Sequence, residues 1–562
     1  MNRSRKQTGF LHSRSPRIAM AFVLGQSLAL SLLNASIARA AERKVPGDHA
    51  TIQAAIDASA SGDSVVVAPG RYVERLRLKP GVTVRSAGDD SVGRLGLKRA
   101  EATIVDGGGE AASDGDAGGE TTAAADTARA ERAKRPGVVM AEGSRLDGLT
   151  ITNVGRFDQA VWDKHRATHG EELGDDEGAT KAEGTVAAVW IPGVECEVVR
   201  CIVRENGDVG IGVVGREGAK AAALIADNHA QKNMGGGIGV ALGAEPIVRR
   251  NRCSENLRAG IGCRAANPLI VDNDCFGNVR AGIGCREGSL AVIRGNRCHG
   301  NGRAGIGIRM QGTAPVVEKN ECRDNDMAGI GCRDGASPLI ARNQCRKNKL
   351  AGIGCRDGAT PTIVGNECRE NGEAGIGLDH EVVAKVVDNR CIDNAKVALG
   401  VTGGSTATVA NNEFARQAGG APPIVAIKDG STASLHGNRI RGGGVAAILI
   451  QGRATIDDNE LQGDGLKQGN AIWIWEKSSA TVVNNRVADY RSAVVAKRAA
   501  ATVVHNRITR YQSVGISIKD APVPPVVHAN TGDSPLPTAR LVEVTGGVDA
   551  RVPPAETSPS RP

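Results

Sequence analysis

From Asn251 onward the chain repeats one phrase of apolar and polar positions. The series Asn251-Arg252-Cys253, Asn256 and Ala259-Gly260-Ile261-Gly262-Cys263-Arg264 returns as Asn273, Cys275, Asn278 and Ala281 through Arg286. It returns again at Asn296/Cys298, Asn320/Cys322, Asn343/Cys345, Asn366/Cys368 and Asn389/Cys391. The steps between those cysteines are 22, 23, 24, 23, 23 and 23 residues. Phe414, Ile440, Leu461, Val487 and Ile508 hold the same register downstream, and Val203 and Ala230 hold it upstream. A position that accepts Val, Ala, Cys, Phe, Ile and Leu behaves as an interior one.

A unit of about 23 residues with two short alternating apolar pairs fits one turn of a coil of strands and is too polar between them for a helix pair. Strand alternation predicts Ile261 and Cys263 inside, with Gly260, Gly262 and Arg264 outside. Successive turns then stack as parallel strands about 4.8 Å apart. Asn suits the corners, because it tolerates left-handed backbone and its stacked amides can hydrogen-bond from turn to turn. Upstream, Thr51–Asp57 predicts a short amphipathic helix, and Gly62–Tyr72 and Gly81–Arg85 predict the first strands.

Composition agrees with a thin core of small aliphatic residues: aromatic residues are 2% of the chain, against 74 glycines. The repeats run over residues 136–531, preceded by an N-terminal cap and first coils over 41–106. Residues 107–135 have little to bury and predict a loop insertion, and a second insertion interrupts the coils at 155–184. Residues 532–562, rich in Pro and Ser, predict a fraying tail. Residues 1–40 have the make-up of an export signal: Arg3, Arg5, Lys6, Arg14 and Arg17, an apolar stretch, then Ala38-Arg39-Ala40. Residues 1–41 hold six Lys/Arg and no Asp/Glu, so without them the formal charge of +8 falls to about +2. That balance gives no footprint for nucleic acid, and no later segment is long and apolar enough to span a membrane. The expected location is the periplasm or outside the cell.

These residues together resemble the right-handed parallel β-helix proteins, the broad set that includes pectate lyases, alginate-processing enzymes and periplasmic NosD-type repeat proteins. The resemblance covers about residues 45–530 and implies an all-β solenoid whose N-terminal helix closes one end of the core. It leaves activity open, since such scaffolds carry lyases, hydrolases, epimerases and binders alike.

One residue past the inward pair, each turn contributes to an outward row that includes Arg264, Arg286, Arg309, Arg333, Arg356, Asp379, Thr402, Lys428, Trp475 and Lys497. The middle of each pair gives a second row, Gly262 through Gly400, then Ala426, Leu449 and Trp473. Arginine forks match carboxylate or sulfate, bare backbone admits an extended ligand closely, and Trp473 and Trp475 offer a platform for a sugar ring. Together they predict binding of an acidic polysaccharide or another cell-envelope glycan. The alternatives are a non-catalytic envelope scaffold, in which Arg333–Asp334 and Arg356–Asp357 pair across turns for solubility, and a NosD-like metal-maturation protein. The lyases and epimerases of the resembled set need a base for the C5 proton and positive charge beside the carboxylate. Asp379 or His380 as base, with Arg333 and Arg356 as stabilisers, fits that need in position. The clustered aspartates of a calcium-dependent pectate lyase and an alginate-epimerase motif are not found.

No cofactor is expected beyond a divalent metal at His165 and His169, which at i, i+4 on a helix could join a carboxylate among Glu171, Glu172, Asp175, Asp176 and Glu177. Of the 13 cysteines, seven form the ladder from Cys253 to Cys391, and Cys263, Cys285, Cys332 and Cys355 form a second. Small apolar core residues are their expected role. Bridged pairs and a Cu(I) ladder are the alternatives.

Overall fold

The computed structural model describes residues 40–90, 93–109, 135–171, 173, 186–216, 221–416, 422–464 and 469–547. Residues 1–39, which hold nearly all of the expected export signal, most of the 107–135 insertion, the acidic residues Glu172, Asp175, Asp176 and Glu177, and the chain after Gly547 lie outside them.

From Ala41 onward the described chain winds as a right-handed parallel β-solenoid. Each turn contributes three strands, one to each of three long parallel sheets, where the sequence pattern alone had shown two apolar pairs. Leu269–Val271, Asp274–Phe276 and Ile283–Arg286 make one such turn. They are assigned here to sheets 1, 2 and 3 in that order. The third strand escapes the pattern because in Leu269–Val271 a single residue, Ile270, faces inward. A turn between sheets 3 and 1 follows Arg286, with Glu287 and Gly288 in left-handed backbone (φ 56° and 77°).

Like residues stack on like. Ile261 pairs with Ile283 and Cys263 with Cys285, then Ile308, Cys332, Cys355 and Leu378 continue that column. Cys253, Cys275, Cys298, Cys322, Cys345, Cys368 and Cys391 form the other column, which Phe414 extends. All thirteen cysteines are buried and unbridged. Burial pushes the Cys263 and Cys391 thiols up, and Cys285 to about 12, so these sulfurs are protonated core groups.

Two asparagine columns bind the turns together. Asn296 Nδ2 donates to the Ile270 carbonyl of the preceding turn (3.0 Å) and to Asn320 Oδ1 of the next (3.0 Å), and Asn320 Oδ1 also accepts the Asn296 backbone N–H (2.9 Å). The second column repeats this at Asn278 and Asn301. The left-handed residue at the corner is the one before the asparagine: Arg250, Asp272, Lys319 and Arg342 all have φ between 51° and 55°. The asparagine itself turns inward, where both its amide hydrogens and its oxygen are satisfied.

Gly260 corrects the simple alternation. It is buried, and a Cβ there would stand 2.8 Å from the Gly282 carbonyl of the next turn. It begins a tight corner rather than the outward face, and Gly282, Gly305 and Gly352 repeat the contact.

The helix Ile52–Asp57 forms with Thr51 as its N-cap and buries Ile52, Ala55 and Ile56. At the other end Arg540–Gly547 pairs with Val514–Ala521, so strand structure reaches into the segment assigned above to the tail. No helix among the described residues is long and apolar enough to cross a membrane.

Candidate functional site

Sheet 3 carries a groove of about 2190 Å³ on its outer face. Its floor is a column of nine glycines in register: Gly212, Gly239, Gly262, Gly284, Gly307, Gly331, Gly354, Gly377 and Gly400. A Cβ on Gly262 would meet nothing within 4 Å, and from Gly284 to Gly400 the nearest atom would lie 3.4–3.8 Å away, an ordinary contact. Neither backbone nor packing requires glycine at these positions, in contrast to Gly260 and Gly282.

One wall is the expected outward row. Arg264 pairs in register with Arg286, Arg309 with Arg333, and Arg356 with Asp379. Carboxylates at the neighbouring corner accompany them: Glu287 lies 2.6 Å from Arg264, Asp334 3.4 Å from Arg333 and Asp357 2.9 Å from Arg356. The Arg333–Asp334 and Arg356–Asp357 pairs sit within one turn, not across turns. Part of one outward row of sheet 2 is built differently. There Arg252, Asp274, Arg297 and Glu321 alternate in register, as do Glu367, Arg390, Glu413, Arg439 and Glu460. Opposite charges thus face each other across turns, with Arg390 3.4 Å from Glu367 and 3.0 Å from Glu413. Directly opposed like charges are unfavourable and opposed unlike charges favourable in a sheet. These stretches of sheet 2 follow that rule; the groove row departs from it, as do Arg323, Arg346 and Arg369, and Arg486 and Arg507, which stack in register elsewhere on sheet 2.

The other wall was missed in the sequence because it lies in the corner between sheets 2 and 3. It runs Arg258, Arg280, Arg303, Met327, Leu350, Glu373 and Lys396. Part of the 155–184 insertion packs on it. The helix Gln159–Ala167, capped by Asp158, buries Trp162 beside Leu173, Leu257 and Val279. Trp162 Nε1 donates to the Glu255 carbonyl at 2.9 Å, and Arg303 donates to the carbonyls of His169 (3.2 Å) and Gly170 (3.1 Å). Arg280 donates to the Leu173 carbonyl.

His165 lies on that helix and lines the groove. The helix stops at Ala167, and His169 has left-handed backbone (φ 51°) with its Nδ1 3.1 Å from Asp326 Oδ2. The helical i, i+4 geometry expected for the two imidazoles is therefore not formed. Among the described residues no group of three His, Cys, Asp or Glu is arranged to hold a metal ion.

Trp190 stands in the glycine column one turn before Gly212 and lies against it: a Cβ on Gly212 would be 3.3 Å from the indole. It lines the groove and was not legible as a site residue, because its turn lacks the Ala-Gly-Ile-Gly phrase. Trp473 and Trp475 share the face, in register beyond Gly400 through Ala426 and Leu449, with ring centroids 4.7 Å apart. The groove lining ends at Thr402, so the structure places this pair and half-buried Lys428 outside the groove proper.

At Asp379 the arginine wall ends. Asp379 Oδ1 accepts the Thr402 hydroxyl at 2.6 Å, and Oδ2 lies 2.7 Å from His380 Nδ1. Partial burial pushes the Asp379 carboxyl upward, but the Thr402 hydroxyl and His380 outweigh it and hold the group below the usual carboxylate range. Gly403 (φ 61°) packs closely under the pair, since a Cβ there would lie 2.6 Å from the His380 backbone nitrogen and 2.8 Å from Asp379 Oδ1.

The family model described as "Right handed beta helix region" matches residues 187–312, 305–414 and 423–531. Solved structures similar to this chain include the mannuronan C-5 epimerase AlgE6 A-module of Azotobacter vinelandii, with 14% identity, 77% of this chain and 93% of that one covered, and a TM-score of 0.33. The periplasmic alginate epimerase AlgG gives 12% identity, 67% and 76% coverage, and a TM-score of 0.36. A mutant of the PL6-family alginate lyase AlyGC gives 8% identity, 90% and 100% coverage, and a TM-score of 0.33. The comparison with curated proteins gives no match.

Proposed function

We propose, for a chain that belongs to the right-handed β-helix family, that the groove over sheet 3 binds an acidic polysaccharide laid along the turns. Its anionic groups lie on the arginine row and its rings lie against the glycine floor. The floor carries this reading. Glycine inside a strand costs roughly 0.5–1 kcal/mol relative to alanine through backbone entropy. Nine in-register glycines, most of them at positions where a methyl group fits, are a cost that the close approach of a ligand offsets. The arginine row agrees. Guanidinium forks engage carboxylates two bonds at a time, and an anion lying along the row meets one such fork at each turn. Trp190 adds an apolar ring at one end of the floor.

A second reading adds chemistry at one turn. Asp379 lines the groove and His380 stands just outside the lining; with Asp379 holding His380 Nδ1, the Nε2 of His380 is the site for a proton taken from C5 of a uronate at the groove's edge. Arg356, one turn away, neutralises the carboxylate as it gains enolate character. Asp379, held below the usual range, acts here as the positioning carboxylate. The metal-maturation alternative has less support, because all thirteen sulfurs are buried in the core, and although hydrogen bonds from neighbouring thiols pull Cys275 and Cys322 down, no group of three ligands among the described residues is arranged to hold an ion.

Calorimetric titration with a panel of polyuronates tests the binding reading. Arg333→Ala combined with Arg356→Ala is expected to weaken binding about four- to twenty-fivefold, two exposed charge pairs at about two- to fivefold each, and unchanged affinity overturns the arginine row as the binding wall. Ultraviolet detection of unsaturated product, with NMR of C5 configuration, tests the chemistry. Absence of both products with a bound polymer removes the His380 role.

A further inference from the structure

The arginine row has sharp limits. In register before Arg264 it is apolar, with Val214 paired to Ala241 and Ala241 to Arg264. Five turns then each place one arginine in this row, ending at Arg356, and the first three add Arg258, Arg280 and Arg303 from the opposite wall. The next turn is acidic on both walls: Asp379 stands in register with Arg356, and Glu373 faces it from the opposite wall. Asp379 remains ionised through Thr402 and His380, and Glu373 pairs with Lys396. A ligand anion over this turn meets a fixed carboxylate, whereas over each of the five preceding turns it meets a guanidinium. Turns rise by about 4.8 Å, so a chain laid along the groove brings about one ring to each turn.

We propose that the groove reads a segment of five consecutive anionic units, with Asp379 and Glu373 excluding a sixth. This rests on the polysaccharide reading and adds a length and a direction to it: the anionic run ends at the Asp379 turn, and whatever lies over Ala241 and Val214 is recognised without charge.

The experiment is calorimetric titration of the whole protein with homogeneous oligouronates of two to ten rings. Each ring from two to five is expected to tighten Kd by about two- to fivefold, the range for exposed charge pairs, and rings beyond five to change it less than twofold. In Arg356→Ala the plateau moves from five rings to four. In Asp379→Asn combined with Glu373→Gln it moves to six. Affinity that climbs at one rate through eight rings, or a plateau that Arg356→Ala leaves in place, overturns the five-unit proposal while leaving the polysaccharide reading intact. No binding at any length overturns both, and circular dichroism of each variant separates these results from misfolding.

Discussion

Gly282 and Gly284 lie two residues apart in one turn and have opposite surroundings. A Cβ on Gly282 would stand 2.7 Å from the Gly305 carbonyl, while one on Gly284 would rest 3.7 Å from the Ala259 methyl. Gly284→Ala is therefore expected to leave stability unchanged or raise it by about 0.4–1 kcal/mol by restricting the unfolded chain. Gly282→Ala is expected to cost on the order of 1–3 kcal/mol through overpacking. Paired denaturation curves check this, and equal effects would contradict the division into a structural and a ligand-facing glycine column.

The asparagine ladder gives a second expectation. Asn320 donates to the Ile293 carbonyl and to Asn343 Oδ1, both at 2.9 Å, and accepts from Asn296 through its backbone N–H and its side chain. Asn320→Ala strands buried partners on both neighbouring turns, each costing roughly 1–3 kcal/mol. A marked fall in the thermal midpoint is expected, together with faster amide exchange at the backbone N–H of Asn296.

Asp379 supplies the pH dependence. Its folded pKa lies below the usual carboxylate value, so the contribution of its pairing is fully present above about pH 3.9 and is lost as pH falls through the lowered folded value. The group is 44% exposed at its side chain, so solvent screening keeps the stability effect small. Thr402→Val removes one hydrogen bond and is expected to raise the Asp379 pKa, as read by carboxyl NMR titration. An unmoved titration would show that Thr402 does not hold the carboxylate.

Thirteen buried thiols should be silent in the folded protein. A colorimetric thiol reagent is expected to label none on the folded chain and all thirteen after denaturation under anaerobic conditions. Rapid labelling of the folded protein would contradict their assignment as core.

The sequence made the stacking legible because the inward column tolerates exchange among Cys, Ile, Leu and Phe while keeping its spacing. Both cysteine ladders and the glycine and arginine rows stand in the expected register. Three features were not legible. Leu269–Val271 turns only Ile270 inward, which leaves no alternation to detect. Gly260 sits at a corner where a backbone approach, not side-chain alternation, sets its direction. The turn of Trp190 lacks the repeated phrase, the Arg258–Arg303 wall lies in a corner outside the strand alternation, and the packing of helix Gln159–Ala167 depends on contacts between residues 93 to 134 apart, which local spacing does not encode.

The most direct test of the account is a side chain raised from the groove floor. Gly307→Val places a residue favoured in strands where a Cβ has room, so the thermal midpoint should hold. Calorimetric titration with a polyuronate that binds the parent is expected to show at least a tenfold loss of affinity. Parent-like affinity in a folded Gly307→Val protein would contradict the claim that the ligand lies against the glycine floor.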